Sequence, residues 1–137
     1  MGFLVLVISG ISHYLLTKKI EYWMTISALG FKTQTPLGYL QSPGTFHLVN
    51  RVLGVAVLVS TLLEEDYFYI GIIVWILIQL STAKTSRKLA YDKYREIVNE
   101  LIINADEGED TSDYEEYRAK TDEELAEMVD RAMKSGA

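Results

Sequence analysis

Residues 67–83 form an uninterrupted apolar run, YFYIGIIVWILIQLSTA. Over residues 67–78 the run is apolar on every side, whereas a helix on the surface of a soluble protein shows one apolar stripe. A membrane-spanning helix needs roughly 17 to 25 residues, and this run reaches that length. Because lipid offers no hydrogen bonds, a spanning segment must pair its backbone polar groups within a helix. The run therefore predicts a transmembrane helix.

Two further apolar runs precede it, Phe3–Leu16 and Phe46–Leu63. None of the three runs contains Asp, Glu or Lys, and the single arginine, Arg51, lies near the start of the second, where its side chain can reach the membrane surface. The acidic triplet Glu64–Asp66 separates the second run from the third. We therefore predict an all-α membrane protein with three transmembrane helices, over about 3–17, 46–63 and 67–83, and a tight acidic hairpin between the second and the third.

The first run is the shortest of the three. It needs Thr17 and the apolar stems of Lys18 and Lys19 to reach across a bilayer, and a core helix of a soluble protein explains a run of this length as well. Residues at helical spacing follow it, so we expect the helix to continue to about Gly30. No basic residue precedes the run and no small-residue cleavage site follows it, which argues against a secretory signal peptide.

Basic residues near the predicted spans determine their orientation. They lie between the first and second spans and directly after the third, whereas the N-terminus and the acidic hairpin carry none. The basic residues nearest the spans are Lys18, Lys19, Arg51, Lys84, Arg87 and Lys88. Lysine and arginine beside spans stay on the cytoplasmic side. All of these residues do so at once if the N-terminus is outside and the C-terminal tail is cytoplasmic, which is the orientation that we predict.

The tail, residues 84–137, carries the net charge of the whole chain, −6. We divide it into a basic juxtamembrane helix over 84–104, which suits anionic lipid headgroups, and an acidic linker with short amphipathic helices over 105–137. The last of these helices, over about Asp122–Lys134, has one apolar stripe that is too small to fold alone. The stripe consists of Leu125, Met128, Val129 and Ala132. We predict that it binds a partner protein.

Two histidines are the residues best suited to chemistry. The predicted topology places His13, near the end of the first span, and His47, at the start of the second, at similar depth in one leaflet. Two neutral imidazoles from different helices can ligate a b-type haem or relay protons. The alternative is that each histidine lies near the membrane surface and hydrogen-bonds to Tyr14, Thr17, Asn50 or a lipid headgroup.

The chain lacks the motifs of the common enzyme classes. It has no cysteine, which excludes disulfides, thiolate zinc sites, iron–sulfur ligation and cysteine nucleophiles. It contains no nucleophile elbow, P-loop, metalloprotease motif or dinucleotide fingerprint. We therefore expect no catalytic activity, no metal and no binding of nucleic acid.

The sequence as a whole predicts a small polytopic membrane protein without a cofactor. We expect a non-catalytic accessory subunit of a larger membrane assembly of the respiratory, translocating or virion kind. Its expected partners are membrane lipids, other membrane-protein subunits and a cytoplasmic protein bound by the acidic tail. Two alternatives stay open: a haem b-binding electron-transfer subunit that uses His13 and His47, and a homo-oligomeric channel lined by the second span.

Overall fold

The computed structural model describes residues 2–135. These residues form helices and no strand, so the predicted all-α class is confirmed. In chain order the elements are α1 (Gly2–Ala28), a 3-10 turn (Lys32–Gln34), α2 (Leu37–Gln41), α3 (Pro43–Val59), α4 (Ile70–Ile103), α5 (Ser112–Arg118) and α6 (Asp122–Lys134).

Helix α1 is the clearest candidate for a membrane span. It has 27 residues, and it is the one helix within residues 2–135 that is both long and apolar enough to cross a membrane. As predicted, it continues well beyond Leu16, and the chain leaves it through Gly30, whose positive φ of 100° ends a helix without steric cost. An apolar helix in this position is typical of a membrane span and equally of a signal sequence.

The other two apolar runs are only partly helical, because α3 ends at Val59 and α4 begins at Ile70. Helix α3 has 17 residues. Helix α4 has 34 residues, but its sequence becomes charged from Lys84 onward. By length and composition, one described helix rather than three is therefore a clear span candidate. The first run, expected to be the weakest, gives the strongest candidate because its helix combines 27 residues with an apolar composition, whereas the continuation of α4 is charged.

The connection between α3 and α4 covers residues 60–69 rather than the acidic triplet alone, so the predicted hairpin was too tight. The buried Thr61 hydroxyl donates a hydrogen bond to the Phe68 carbonyl oxygen (3.2 Å) and accepts one from the Gly71 amide (2.9 Å). A hydroxyl bonded to the backbone in this way competes with helical hydrogen bonds. The apolar residues on both sides of the triplet consequently form turns.

Three helices form a bundle in the first half of the chain, with α1 and α4 parallel and α3 antiparallel to both. Gly2 lies beside Ser60, at the end of α3, and beside Glu64 in the turn that follows. Further along α1, His13 meets Asn50 from the first half of α3 and Gln79 from α4. The hairpin therefore lies at the same end of the bundle as the N-terminus of α1.

The bundle buries small and polar residues and exposes large apolar ones. Its buried residues include Ser9, Gly10, His13, Thr17, Gly54, Thr61, Gly71, Thr82 and Ser86. Its exposed residues include Leu4, Val7, Ile8, Ile11, Leu15, Leu48, Val52, Val55, Ile73, Leu77 and Leu80. Small residues at the contacts and large apolar residues outside are typical of helices that pack within lipid.

A second core follows in the tail, and there large apolar residues are buried and charged residues are exposed. Helix α4 continues without a break from the bundle into this region and packs against the end of α1 and against α6. The buried residues of this core are Ile26, Leu29, Tyr91, Tyr94, Val98, Leu125 and Val129. Acidic and basic side chains cover its outside, which is the arrangement of a soluble domain.

Candidate functional site

His13 is the central residue of a polar cluster where α1, α3 and α4 meet. Only 3% of its surface is exposed. Its Nδ1 lies 2.9 Å from the Asn50 Oδ1 atom, and its Nε2 lies 2.7 Å from the Gln79 side-chain nitrogen. Because the Gln79 amide donates to Nε2, the imidazole is neutral and carries its proton on Nδ1. One side chain thus joins all three helices of the bundle.

Thr17 completes the cluster from the next turn of α1. Its hydroxyl donates to Asn50 Oδ1 at 3.0 Å and lies 3.4 Å from His13 Nδ1. Thr17 and Asn50 are two of the partners that the alternative to haem ligation named for His13. Gln79 was not predicted as a partner, although it is the one amide in the third apolar run. An amide surrounded by apolar residues needs a hydrogen-bond partner.

Gly54 allows the imidazole to lie directly against α3. A Cβ atom at this position would be 3.1 Å from His13 Cε1 and 3.2 Å from Trp75 Nε1. A cavity of about 370 Å³ lies beside this contact and reaches the outside of the bundle between α3 and α4. Its lining residues are His13, Asn50, Arg51, Gly54, Val55, Leu58, Trp75 and Gln79.

His47 does not join this cluster. It is half-buried, and its ring centroid is 6.2 Å from that of Tyr39, which in turn packs against Trp23 and Phe46. The two predicted haem ligands therefore occupy different surroundings, one polar and one aromatic. Both ring nitrogens of His13 already have partners, so iron could bind Nε2 only if Gln79 moved away. Within residues 2–135, no group of three metal-ligating side chains comes together.

The basic residues predicted to set the topology fall into two groups. Lys18 and Lys19 line a groove between α1 and α4, whereas Arg51 lies at the rim of the cavity beside His13. On α4, Arg87 is 4.0 Å from Asp130 of α6, and Lys88 is 3.3 Å from Asp122. Lys84 is exposed. Two of the basic residues predicted to set the topology, Arg87 and Lys88, thus also hold the tail against α4.

The apolar stripe of α6 packs against this chain's own helices. Leu125 and Val129 are fully buried, and Met128 and Ala132 are half-buried. The surface that the sequence assigned to a partner protein is therefore covered in this structure by α1 and α4. Its docking has a simple physical cause: each fully buried leucine or valine contributes about 1.5 to 3 kcal/mol.

An ion pair holds the first turn of α6. Arg95 donates to the Asp122 carboxylate at 2.6 Å and to the Lys120 carbonyl oxygen at 2.9 Å. The hydrogen bond from Arg95, aided by Lys88, keeps the pKa of Asp122 below its usual range. The Thr121 hydroxyl caps the same turn by accepting from the Glu124 amide at 3.3 Å.

Comparison with family models, with curated proteins and with solved structures finds no match for this chain.

Proposed function

We propose that the chain is an integral membrane protein with three spans, formed by α1, by α3 and by the first half of α4. The polarity of the bundle supports this proposal. Its outer surface is a continuous belt of large apolar side chains such as Leu15, Leu48 and Leu77, and its contacts are small and polar. Such a belt would drive aggregation in water, whereas lipid tails cover it at no cost.

The apolar lengths of the helices fit a bilayer once the residues that flank them are included. A hydrocarbon core of about 30 Å takes about 20 helical residues. The 17 residues of α3 approach this length, and the apolar turn residues Leu62 and Leu63, both exposed, extend the apolar surface at its end. Lys84, near the end of the α4 span, can direct its ammonium to the membrane surface.

The proposed orientation has the N-terminus outside and the charged tail in the cytoplasm. The hairpin, with its acidic triplet, lies at the N-terminal end of α1. Lys18, Lys19 and the basic residues of α4 lie toward the other end, beside the folded tail. The positive-inside rule assigns that basic end to the cytoplasm.

Within the membrane we propose a non-catalytic role, as an accessory subunit of a larger assembly. The observation that carries this proposal is the hydrogen bonding within the His13 cluster, whose donors and acceptors bond to one another across three helices. Polar groups used in this way hold helices together, and they leave no free nucleophile or base in the cluster for a reaction.

The surface that remains for a protein partner lies at the far end of α4. Leu101 and Ile103 are 40% and 71% exposed there, and they lead into the acidic segment 105–116. A partner with apolar side chains framed by basic ones would complement this end of the molecule.

Cysteine accessibility tests the topology, because the chain has no native cysteine. We would introduce Glu65→Cys in the hairpin or Glu107→Cys in the tail and label intact cells with a membrane-impermeant maleimide. We expect the first variant to be labelled directly and the second only after permeabilisation. Labelling of both variants only after permeabilisation would contradict the three-span topology.

Purification of the full chain in mild detergent, with mass spectrometry and a visible spectrum, tests the role. We expect a stoichiometric protein partner that is lost in the variant Leu101→Asp/Ile103→Asp but retained in the control Leu37→Asp, which changes a leucine that is 69% exposed elsewhere. A Soret band lost on His13→Ala or His47→Ala would favour the haem-binding alternative. A pure homo-oligomer that conducts ions in bilayers would favour the channel.

A further inference from the structure

A groove of about 550 Å³ runs between α1 and α4 on the outside of the bundle. This volume is within the range of about 300 to 1,000 Å³ that small-molecule sites occupy. Leu15 and Leu89, 54% and 45% exposed, form apolar walls. Lys18, Lys19 and Lys93 supply ammonium groups around it. The groove therefore combines an apolar surface with a basic rim.

The position of the groove matches the inner membrane surface in the topology proposed above. About 20 helical residues cross the hydrocarbon core. The apolar segments that we assign to the membrane end at residues 17 and 83, so the inner boundary of the hydrocarbon core lies just beyond these residues. The groove is lined by residues 15–22 of α1 and 89–96 of α4. It thus extends from the ends of the acyl chains into the layer of headgroups.

The charges in the groove are unequally neutralised. Asp92 is 3.1 Å from Lys88 and 3.6 Å from Arg95, and Glu96 is 3.4 Å from Lys93. Both carboxylates of the groove are therefore already paired with cations of α4.

Lys18 and Lys19 of α1 have no carboxylate within 4.0 Å among residues 2–135. The Lys18 ammonium lies over the Tyr14 ring, 5.9 Å from its centroid, a contact that leaves its charge uncompensated. Two ammonium groups that line the groove are therefore without a carboxylate, and an anion at the level of the lipid phosphates would neutralise them.

We propose that this groove binds one anionic phospholipid, with its phosphodiester held by Lys18 and Lys19 and an acyl chain against Leu15 and Leu89. The proposal rests on the proposed membrane topology. Basic pockets between helices on the cytoplasmic side are suited to anionic headgroups because they combine charge attraction with a confined shape. A zwitterionic lipid fits less well, because its own cation would lie among the lysines.

Native mass spectrometry of the full chain tests the proposal. The protein would be released from nanodiscs of phosphatidylcholine with a minor fraction of phosphatidylglycerol, and the fraction that retains phosphatidylglycerol would be counted. Retention by Lys18→Gln/Lys19→Gln would be compared with retention by Lys32→Gln/Lys84→Gln. The control pair removes the same charge from two exposed lysines outside the groove. Nanodiscs present both leaflets, so a change of orientation does not affect the comparison.

We expect the groove variant to lose about 30-fold in preference for phosphatidylglycerol and the control less than about threefold. A second measurement guards against misfolding: phosphatidylglycerol added to protein in detergent should raise the thermal midpoint of the wild type and of the control but not of the groove variant. Equal behaviour of the two variants in both measurements would overturn the lipid site.

Failure of the lipid site is distinguishable from failure of the topology. If the wild-type chain inserts into vesicles and floats with them, but the two variants retain phosphatidylglycerol equally, the lipid site alone is overturned. If the chain stays in the aqueous fraction after flotation, the membrane topology is overturned, and the lipid site with it.

Discussion

The Nε2 atom of His13 accepts a hydrogen bond from the Gln79 side chain at 2.7 Å, across 66 residues of chain. This bond joins the first helix of the bundle to the last, and the Nδ1 bond to Asn50 brings in the middle one. The His13 cluster is therefore a connected set of hydrogen bonds, and the loss of one side chain removes a partner from the others.

Replacing His13 should weaken the bundle. We expect His13→Leu to lower the free energy of unfolding in detergent by about 0.6 to 1.7 kcal/mol for each lost interhelical hydrogen bond, because Gln79 loses its partner and Asn50 keeps only its bond to Thr17. The control is His47→Leu, which changes a half-buried histidine outside the cluster and should have less effect. Equal losses in the two variants would show that His13 does not hold the helices together.

The His13–Gln79 bond should appear as a coupling energy. We expect His13→Leu and Gln79→Leu each to lower the free energy of unfolding. The sum of the two losses should exceed the loss in the double variant by about 0.5 kcal/mol or more, because either single change already breaks the bond. Free energies of unfolding of the four proteins, measured in one detergent, would give this value. Strictly additive losses would contradict the bond.

A side chain at position 54 should destabilise the bundle. We expect Gly54→Val to cost about 1 to 3 kcal/mol, because a Cβ atom there would press on His13 and Trp75 at 3.1 and 3.2 Å. Gly44→Val is the matched control, since a Cβ atom at that position of α3 meets nothing within 4 Å. A stable Gly54→Val protein would mean that α3 lies further from α1 than the structure places it.

Leu125 should hold the tail onto the rest of the molecule. It is fully buried, so we expect Leu125→Ala to cost about 2 to 5 kcal/mol of docking free energy. Limited proteolysis would show this as faster cleavage within 105–135. The control Leu101→Ala changes a leucine that is 40% exposed and should leave the rate unchanged. Unchanged cleavage in both variants would mean that α6 is not docked in solution.

The docking of α6 should weaken in acid. The hydrogen bond from Arg95 lowers the pKa of Asp122 in the folded protein. A carboxylate with a lowered pKa contributes stability above its unfolded pKa of about 3.9, and this contribution is lost as the pH falls through the folded value. The docked tail should therefore loosen below about pH 4 and not between pH 5 and 8.

Spin labels on cysteines at positions 33 and 134 would follow this change, because the residues beside these positions, Lys32 and Met133, line one pocket. We expect a narrow distance distribution at neutral pH that broadens in acid. In Asp122→Asn the distribution should depend less on pH, and the control Asp113→Asn should behave as the wild type. A wild-type distribution that does not change with pH would exclude a role for the Arg95–Asp122 pair.

Much of the local structure follows from composition. The apolar runs predicted helices, and the prediction that the first helix continues to about Gly30 was confirmed. The hairpin was predicted too tight, because the hydroxyl of Thr61 turns the chain before the acidic triplet is reached. A single hydroxyl of this kind has no signature in hydropathy.

The helical class, the polarity of each half and the charge that follows the apolar runs could all be predicted from the sequence, because they depend on residues close together in the chain. Only the tertiary structure decided that His13 pairs with Gln79 rather than with His47, and that Leu125 and Val129 pack on this chain's own α1 and α4. Such contacts depend on which faces of distant helices meet. Helical periodicity defines a face, but the packing of the whole chain selects its partner.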